Sequence, residues 1–222
     1  ILLSGSVARG DYYPGELGGN ADLVVMKDDG SSLSAEELFG ENIDPGIPYH
    51  RIREDAVGYQ ILFREFVTVE RFKPLGEPRK YALLESRALW QKDRCYTEEL
   101  RAIGEFAKNE IARYLDSSRE YISYLLSEYK TDRWRRRQAY PQLHANLNTA
   151  LQRFVDCLYY KNGKYAPAED RKLYYSYTLP QTPDGYGELI SRAFEQRMMS
   201  YDDYLRRERL FKNELLSFIA LA

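Results

Sequence analysis

The residues best suited to chemistry lie in one stretch near the start of the chain, Leu2 to Met26, LLSGSVARGDYYPGELGGNADLVVM. An apolar run leads into Gly5-Ser6, then Ala8-Arg9-Gly10, a Gly-rich loop, and Asp22 ahead of a second apolar run. A Gly-Ser turn that opens a helix offers backbone N–H groups to phosphate oxygens. An acid at the start of a strand can hold Mg2+, which takes oxygen ligands and keeps several waters. Such parts suit attack at the α-phosphorus of a nucleoside triphosphate, where two Mg2+ held by carboxylates neutralise the attacking and leaving oxygens. That reaction asks for a strand, a Gly-Ser turn, a loop, an acid pair and a third acid on a neighbouring strand. Asp22 supplies one of the pair, and Asn20 stands where the other belongs. An amide can ligate Mg2+ through its oxygen but brings no charge. Each ligand lost can cost orders of magnitude in rate, since about 1.4 kcal/mol is tenfold. Glu65 is the candidate third acid, and Asp11 and Glu16 are loop acids that could replace the missing one.

These residues need a sheet to position them. Ile1-Leu3 and Leu23-Met26 are short apolar runs bounded by Gly and Asp, as in buried strands. Tyr59 to Phe72, YQILFREFVTVERF, is rich in β-branched and aromatic residues and reads as a central strand. Alternation puts Ile61, Phe63, Glu65, Val67 and Val69 on one face, at a parity that can bring Glu65 to the site. A Glu among apolar neighbours is costly unless something uses it. Ser34 to Leu38 carries a helix-capping signal, Gly40 to Pro48 reads as loop, and Pro78 to Asp93 as a helix followed by a strand at Ala88-Trp90. From Thr97 the pattern turns helical and continues to about Tyr129. A second helix runs from about Pro141 to Tyr160 with Leu143, Leu147, Leu151, Phe154 and Leu158 on one stripe, and KNGKYAP breaks it. Further helices are expected at Asp170-Tyr177, Gly187-Met199 and Tyr201-Ala220. The fold class is therefore α+β: a small mixed β-sheet over residues 1–95, then a helical bundle over 96–222.

With Gly5, Ser6, Ala8, Arg9, Gly10 and Asp22 in place, the first 95 or so residues resemble the DNA polymerase β-type nucleotidyltransferase superfamily. The helical part is similar to the bundle of kanamycin-nucleotidyltransferase-like proteins, most of all at NGKYAPAEDRK, Asn162 to Lys172. The resemblance implies transfer of a nucleoside monophosphate from Mg-NTP to a hydroxyl acceptor. It implies Asp22 and Glu65 as catalytic metal ligands, and Gly5, Ser6, Arg9 and Lys172 as nucleotide-binding residues. The chain departs from the family pattern at Asn20 and in the lengthened loop through PGELGG. A catalytically impaired relative, acting as a nucleotide-binding or protein-interaction module, is the alternative that Asn20 favours. A purely structural interaction protein with a Tyr-rich surface is a third.

Composition narrows the partners. The net charge of −2 gives no whole-protein field toward nucleic acid or anionic lipid, so a nucleic-acid partner is not expected. No apolar run is long enough to span a membrane. Two cysteines and two histidines make neither a disulfide framework nor a zinc site, and reduced thiols fit a cytoplasmic protein. The chain opens on Ile1 rather than Met, so the native protein is expected to begin upstream. His50 reads as a loop residue and His144 as a packed structural one. Arg133 to Arg137, RWRRR, reads as a solvated helix connection, or as a phosphate contact with Trp134 stacked on a base. Lys161, Lys164, Arg171 and Lys172 form a second basic group. The 20 tyrosines read either as helix packing with wet hydroxyls or as an aromatic groove.

Overall fold

The computed structural model describes residues 1–12, 20–28, 30–32, 37, 50–54, 57–92, 95–106 and 108–220. The architecture is α+β, a mixed five-stranded sheet followed by helices. By contacts the chain divides into two compact units, Ile1–Glu105 and Phe106–Ala222.

The first unit holds strands β1 (Leu2–Ser4), β2 (Ala21–Lys27), β3 (His50–Glu54), β4 (Val57–Glu65) and β5 (Arg87–Ala88), ordered β3-β4-β2-β1-β5. Strands β2 and β4 run parallel, and the other neighbours are antiparallel. Its helices are α1 (Gly5–Arg9), α2 (Val69–Phe72), α3 (Glu77–Leu84) and α4 (Tyr96–Gly104). Because side chains alternate along a strand, the register puts Leu2, Ser4, Asp22, Val24, Gln60 and Leu62 on one face. Leu3, Leu23, Ile61 and Phe63 take the other.

Leu2 and Val24 form a core with Tyr96 and Leu100 of α4. The Val67 N–H donates to the Tyr96 hydroxyl at 2.8 Å, and the Phe66 ring meets the Tyr96 ring edge-on at 4.7 Å. Helix α4 therefore turns its apolar side to the sheet. The contact boundary falls after Glu105, where the sequence places it near Tyr96.

The strand expected to reach Phe72 stops at Glu65. The Phe66 N–H still donates to Lys27 O at 3.1 Å, closing the ladder with β2. The following residues coil into the single turn of α2, with Thr68 at its N-cap position, Glu70 in its first turn and Phe72 buried. Burial of Phe72 overrides the β propensity of this run. His50 opens β3 rather than lying in a loop. The helix expected at 34–38, except for helical Glu37, and the loop at 40–48 lie outside the described residues.

The second unit holds α5 (Lys108–Leu125), α6 (Glu128–Arg136), α7 (Tyr140–Lys161), α8 (Glu169–Ser176), α9 (Tyr186–Phe194) and α10 (Tyr201–Leu210). A π-helical turn (Phe211–Leu215) then leads into α11 (Leu216–Ala220). The helical run expected from Thr97 to Tyr129 is broken twice, by extended backbone at Glu105 and at Ser127. Helix α7 is the spine, and its stripe of Leu143, Leu147, Leu151, Phe154 and Leu158 is fully buried, as the helical period predicts. Tyrosines are divided. Tyr159 and Tyr204 are buried, and Tyr114 stacks flat on Tyr160 with ring centroids 3.5 Å apart. Tyr121, Tyr124, Tyr129, Tyr174 and Tyr177 are exposed.

One polar pair sits inside this unit. Arg207 and His144 are both fully buried, and an Arg207 Nη1–H donates to His144 Nδ1 at 2.6 Å. The imidazole proton is therefore on Nε2, which donates to Ser200 O at 3.1 Å. Burial, and then the Arg207 charge, lower the His144 pKa below its ordinary 6.5, although the Ser200 bond works the other way. The unfolded chain therefore takes up this proton before the folded one does. Stability conferred by neutral His144 is present above pH 6.5 and falls as the pH drops through the lowered folded value, with a slope of at most about 1.4 kcal/mol per pH unit. Urea denaturation at pH 7.5 and 5.5 will show this loss, and a His144→Asn variant will lack His144's share of it.

Candidate functional site

Strand β1 passes directly into α1 through Gly5, whose φ of +68° lies in the left-handed region. A Cβ added there would lie 2.2 Å from Asp22 Oδ2. The glycine therefore serves two needs at once, the backbone angle and the close approach of the carboxylate. Ser4 and Asp22 are cross-strand partners, which fixes Asp22 beside the turn. Gly5→Ala is expected to cost at least about 1–2 kcal/mol from the backbone angle alone and to displace Asp22. Gly58→Ala meets Asn20 Oδ1 at 2.2 Å, the free end of a side chain, and will cost less. Urea midpoints for the two variants check the order.

Ser6 lies in α1, and its carbonyl accepts from the N–H groups of Gly10 at 2.9 Å and Asp11 at 3.0 Å. The Arg9 Nε lies 3.4 Å from Asp11 Oδ1, so this loop acid forms an ion pair with the arginine. Glu16 lies outside the described residues.

Strand register decides which residues can join Asp22. Asp22 pairs with Gln60 on the parallel neighbour β4. Asn20, two residues before Asp22, shares its face, and its amide oxygen packs against Gly58. Residues 20, 22 and 60 thus converge on one face of the sheet, and only Asp22 is charged. Glu65 is not brought to this group. It pairs with Lys27, five positions past Gln60 and about 16 Å along the strand, and has the opposite parity. Its carboxylate forms an ion pair with Arg71 at 3.0 Å. Gln60 is the residue that sequence reasoning passed over. An amide gives no chemical signal, and its place emerges only from the parallel register.

Lys172, the nucleotide-binding candidate of the helical part, is buried within the second unit. Its Nζ donates to Asp156 and Glu169, each at 2.9 Å. Burial alone lowers its pKa, but the two carboxylates more than offset this and hold the ammonium above its usual value. Both carboxylates are within the unit, so Lys172 has a structural ion-pair role there. The basic run is similarly occupied. Arg135 and Arg136 share the Asp132 carboxylate, whose pKa is lowered by those bonds. Arg133 lies over the Tyr129 ring and Arg137 over the Trp134 ring. Cys157 is buried, which pushes its thiol up to about 11 and leaves it unreactive at neutral pH.

Among the described residues no three His, Cys, Asp or Glu side chains cluster as a metal site. The Asp22 group does not fit a two-metal centre held by three carboxylates. It does fit one Mg2+ that arrives on a triphosphate, because Mg2+ is commonly bound through one or two protein oxygens with phosphates and waters completing the shell. No helix among the described residues is long and apolar enough to cross a membrane. Compared with protein-family models, curated proteins and solved structures, the chain gives no match.

Proposed function

We propose that the first unit is a nucleotidyltransferase-like module that binds a Mg-nucleoside triphosphate and has lost efficient transfer. One observation carries this reading: positions 20, 22 and 60 share one sheet face, and two of the three are amides. The backbone at Gly5-Ser6 would face the triphosphate, with Arg9 near it. Asp22 would hold the metal, aided by the Asn20 amide oxygen. An active transferase using Asp22 with Glu65 has less support, because Glu65 lies far along the sheet on the other face. The helical unit would then act as an interaction module rather than an acceptor site, and the cytoplasm, where free thiols stay reduced, is the proposed location.

The test is calorimetric titration with an α,β-methylene NTP, with and without Mg2+. Binding is expected to require Mg2+ and to weaken at least about tenfold in Asp22→Ala, a change of about 1.4 kcal/mol. Absence of binding with Mg2+ present would overturn the proposal. Binding indifferent to both Mg2+ and Asp22 would remove the metal from it.

A further inference from the structure

A cavity of about 420 Å³ opens on the same face of the sheet, past Ser4 and away from Asp22. Its volume lies in the lower range of pockets that enclose small organic ligands. The floor is apolar, with Leu2, Val24 and Leu62 from the sheet and Val67 beside them. Leu83 from α3 closes it from the other side. Arg64 and Arg79 stand at its edge, one from the end of β4 and one from α3. Neither guanidinium has a hydrogen-bond or ion-pair partner among the described residues, whereas Glu65, the acid of the same rim, is already held by Arg71. An apolar chamber rimmed by two guanidiniums that have no partner among the described residues is complementary to a molecule with a hydrocarbon body and an anionic head. Guanidinium forks bind carboxylates in two parallel hydrogen bonds.

We propose that this cavity binds an amphipathic carboxylate, with its chain on the Leu2, Val24 and Leu62 floor and its head between Arg64 and Arg79. The site is separate from the Asp22 group and does not depend on nucleotide binding. Each methylene enclosed should raise affinity about fourfold.

The probes are hexanoate, octanoate and decanoate, titrated into the whole chain by calorimetry, with decyltrimethylammonium as the charge-reversed control. Affinity is expected to rise about fourfold per methylene and to exceed that of the cationic probe by at least about tenfold. The Arg64→Gln, Arg79→Gln double variant changes two exposed side chains, so the fold should persist, which its thermal unfolding will verify. That variant should bind decanoate at least about tenfold more weakly while keeping the same dependence on chain length. No binding of decanoate, equal binding of the cationic probe, or unchanged affinity in the double variant would overturn the proposal.

Discussion

Arg207→Met will destabilise the helical unit by about 3–5 kcal/mol, among the largest effects expected of a single substitution in this chain. The guanidinium is fully buried. It donates to Ala193 O at 2.7 Å, His144 Nδ1 at 2.6 Å, Asn148 Oδ1 at 2.5 Å and Gln196 Oε1 at 3.1 Å. Burial pulls its pKa down to about 10, with Asp203 acting against that shift, so it remains a cation at neutral pH. Methionine fills part of the volume but donates nothing. The Ala193 carbonyl and the His144 Nδ1 are then left without a donor in the interior, at about 1–3 kcal/mol each. His144 and Asn148 belong to α7, Ala193 to α9 and Gln196 to the residues that follow it, so the loss loosens α10 from both helices. Thermal unfolding followed by circular dichroism should show a fall of about 10–20 °C. A fall of only a few degrees would mean that the cluster is not the anchor described.

The second large effect is a gain. Asn20→Asp with Gln60→Asp places carboxylates at both positions that share the Asp22 face. Each change is close to isosteric or shortens the side chain by one methylene, and each places charge where two metal ions need it. The reaction to follow is attack of water on the α-phosphorus of an NTP. The bond between that phosphorus and the bridging oxygen breaks, and pyrophosphate, a nucleoside monophosphate and a proton are released. At about tenfold for each carboxylate ligand added, the double variant should release pyrophosphate at least about a hundredfold faster than the parent chain. Adding Asp22→Ala to it should return the rate to background. If Glu65 were the working third acid, Gln60→Asp would add nothing and Glu65→Gln would lower whatever rate exists.

Those residues also mark how far the sequence could be read. The order of strand, Gly-Ser turn and second strand was legible because an apolar run that ends at glycine and restarts behind an acid has few other solutions. Asp22 followed from it, and its contact with Gly5 gives the glycine a reason. Glu65 could not be placed the same way. Alternation along one strand yields two faces, but which residues of β4 share a face with Asp22 depends on the parallel register, and that register pairs Asp22 with Gln60. Helix α4 was legible as an amphipathic helix, while its partner was not. Tyr96 and Leu100 suit a sheet or a bundle equally, and only the Leu2 and Val24 contacts decide. The long stripe of α7 was legible because its period is that of a helix. The Arg207 to His144 bond joins residues 63 positions apart and leaves no local pattern. Lys172 was singled out by the resemblance at NGKYAPAEDRK, within a basic group, but Asp156 lies one helix away and pairs with its ammonium.

The central claim is that Asp22, as the one carboxylate of its group and aided by the Asn20 amide oxygen, holds one metal ion with the nucleotide. Its most direct test is the number of Mn2+ ions bound per chain, counted by electron paramagnetic resonance at saturating α,β-methylene NTP, with Mn2+ replacing Mg2+ and the nucleotide-only background subtracted. One ion in the parent chain and none in Asp22→Ala is the predicted result. Two ions in the parent chain, or a count unchanged by Asp22→Ala, would contradict it.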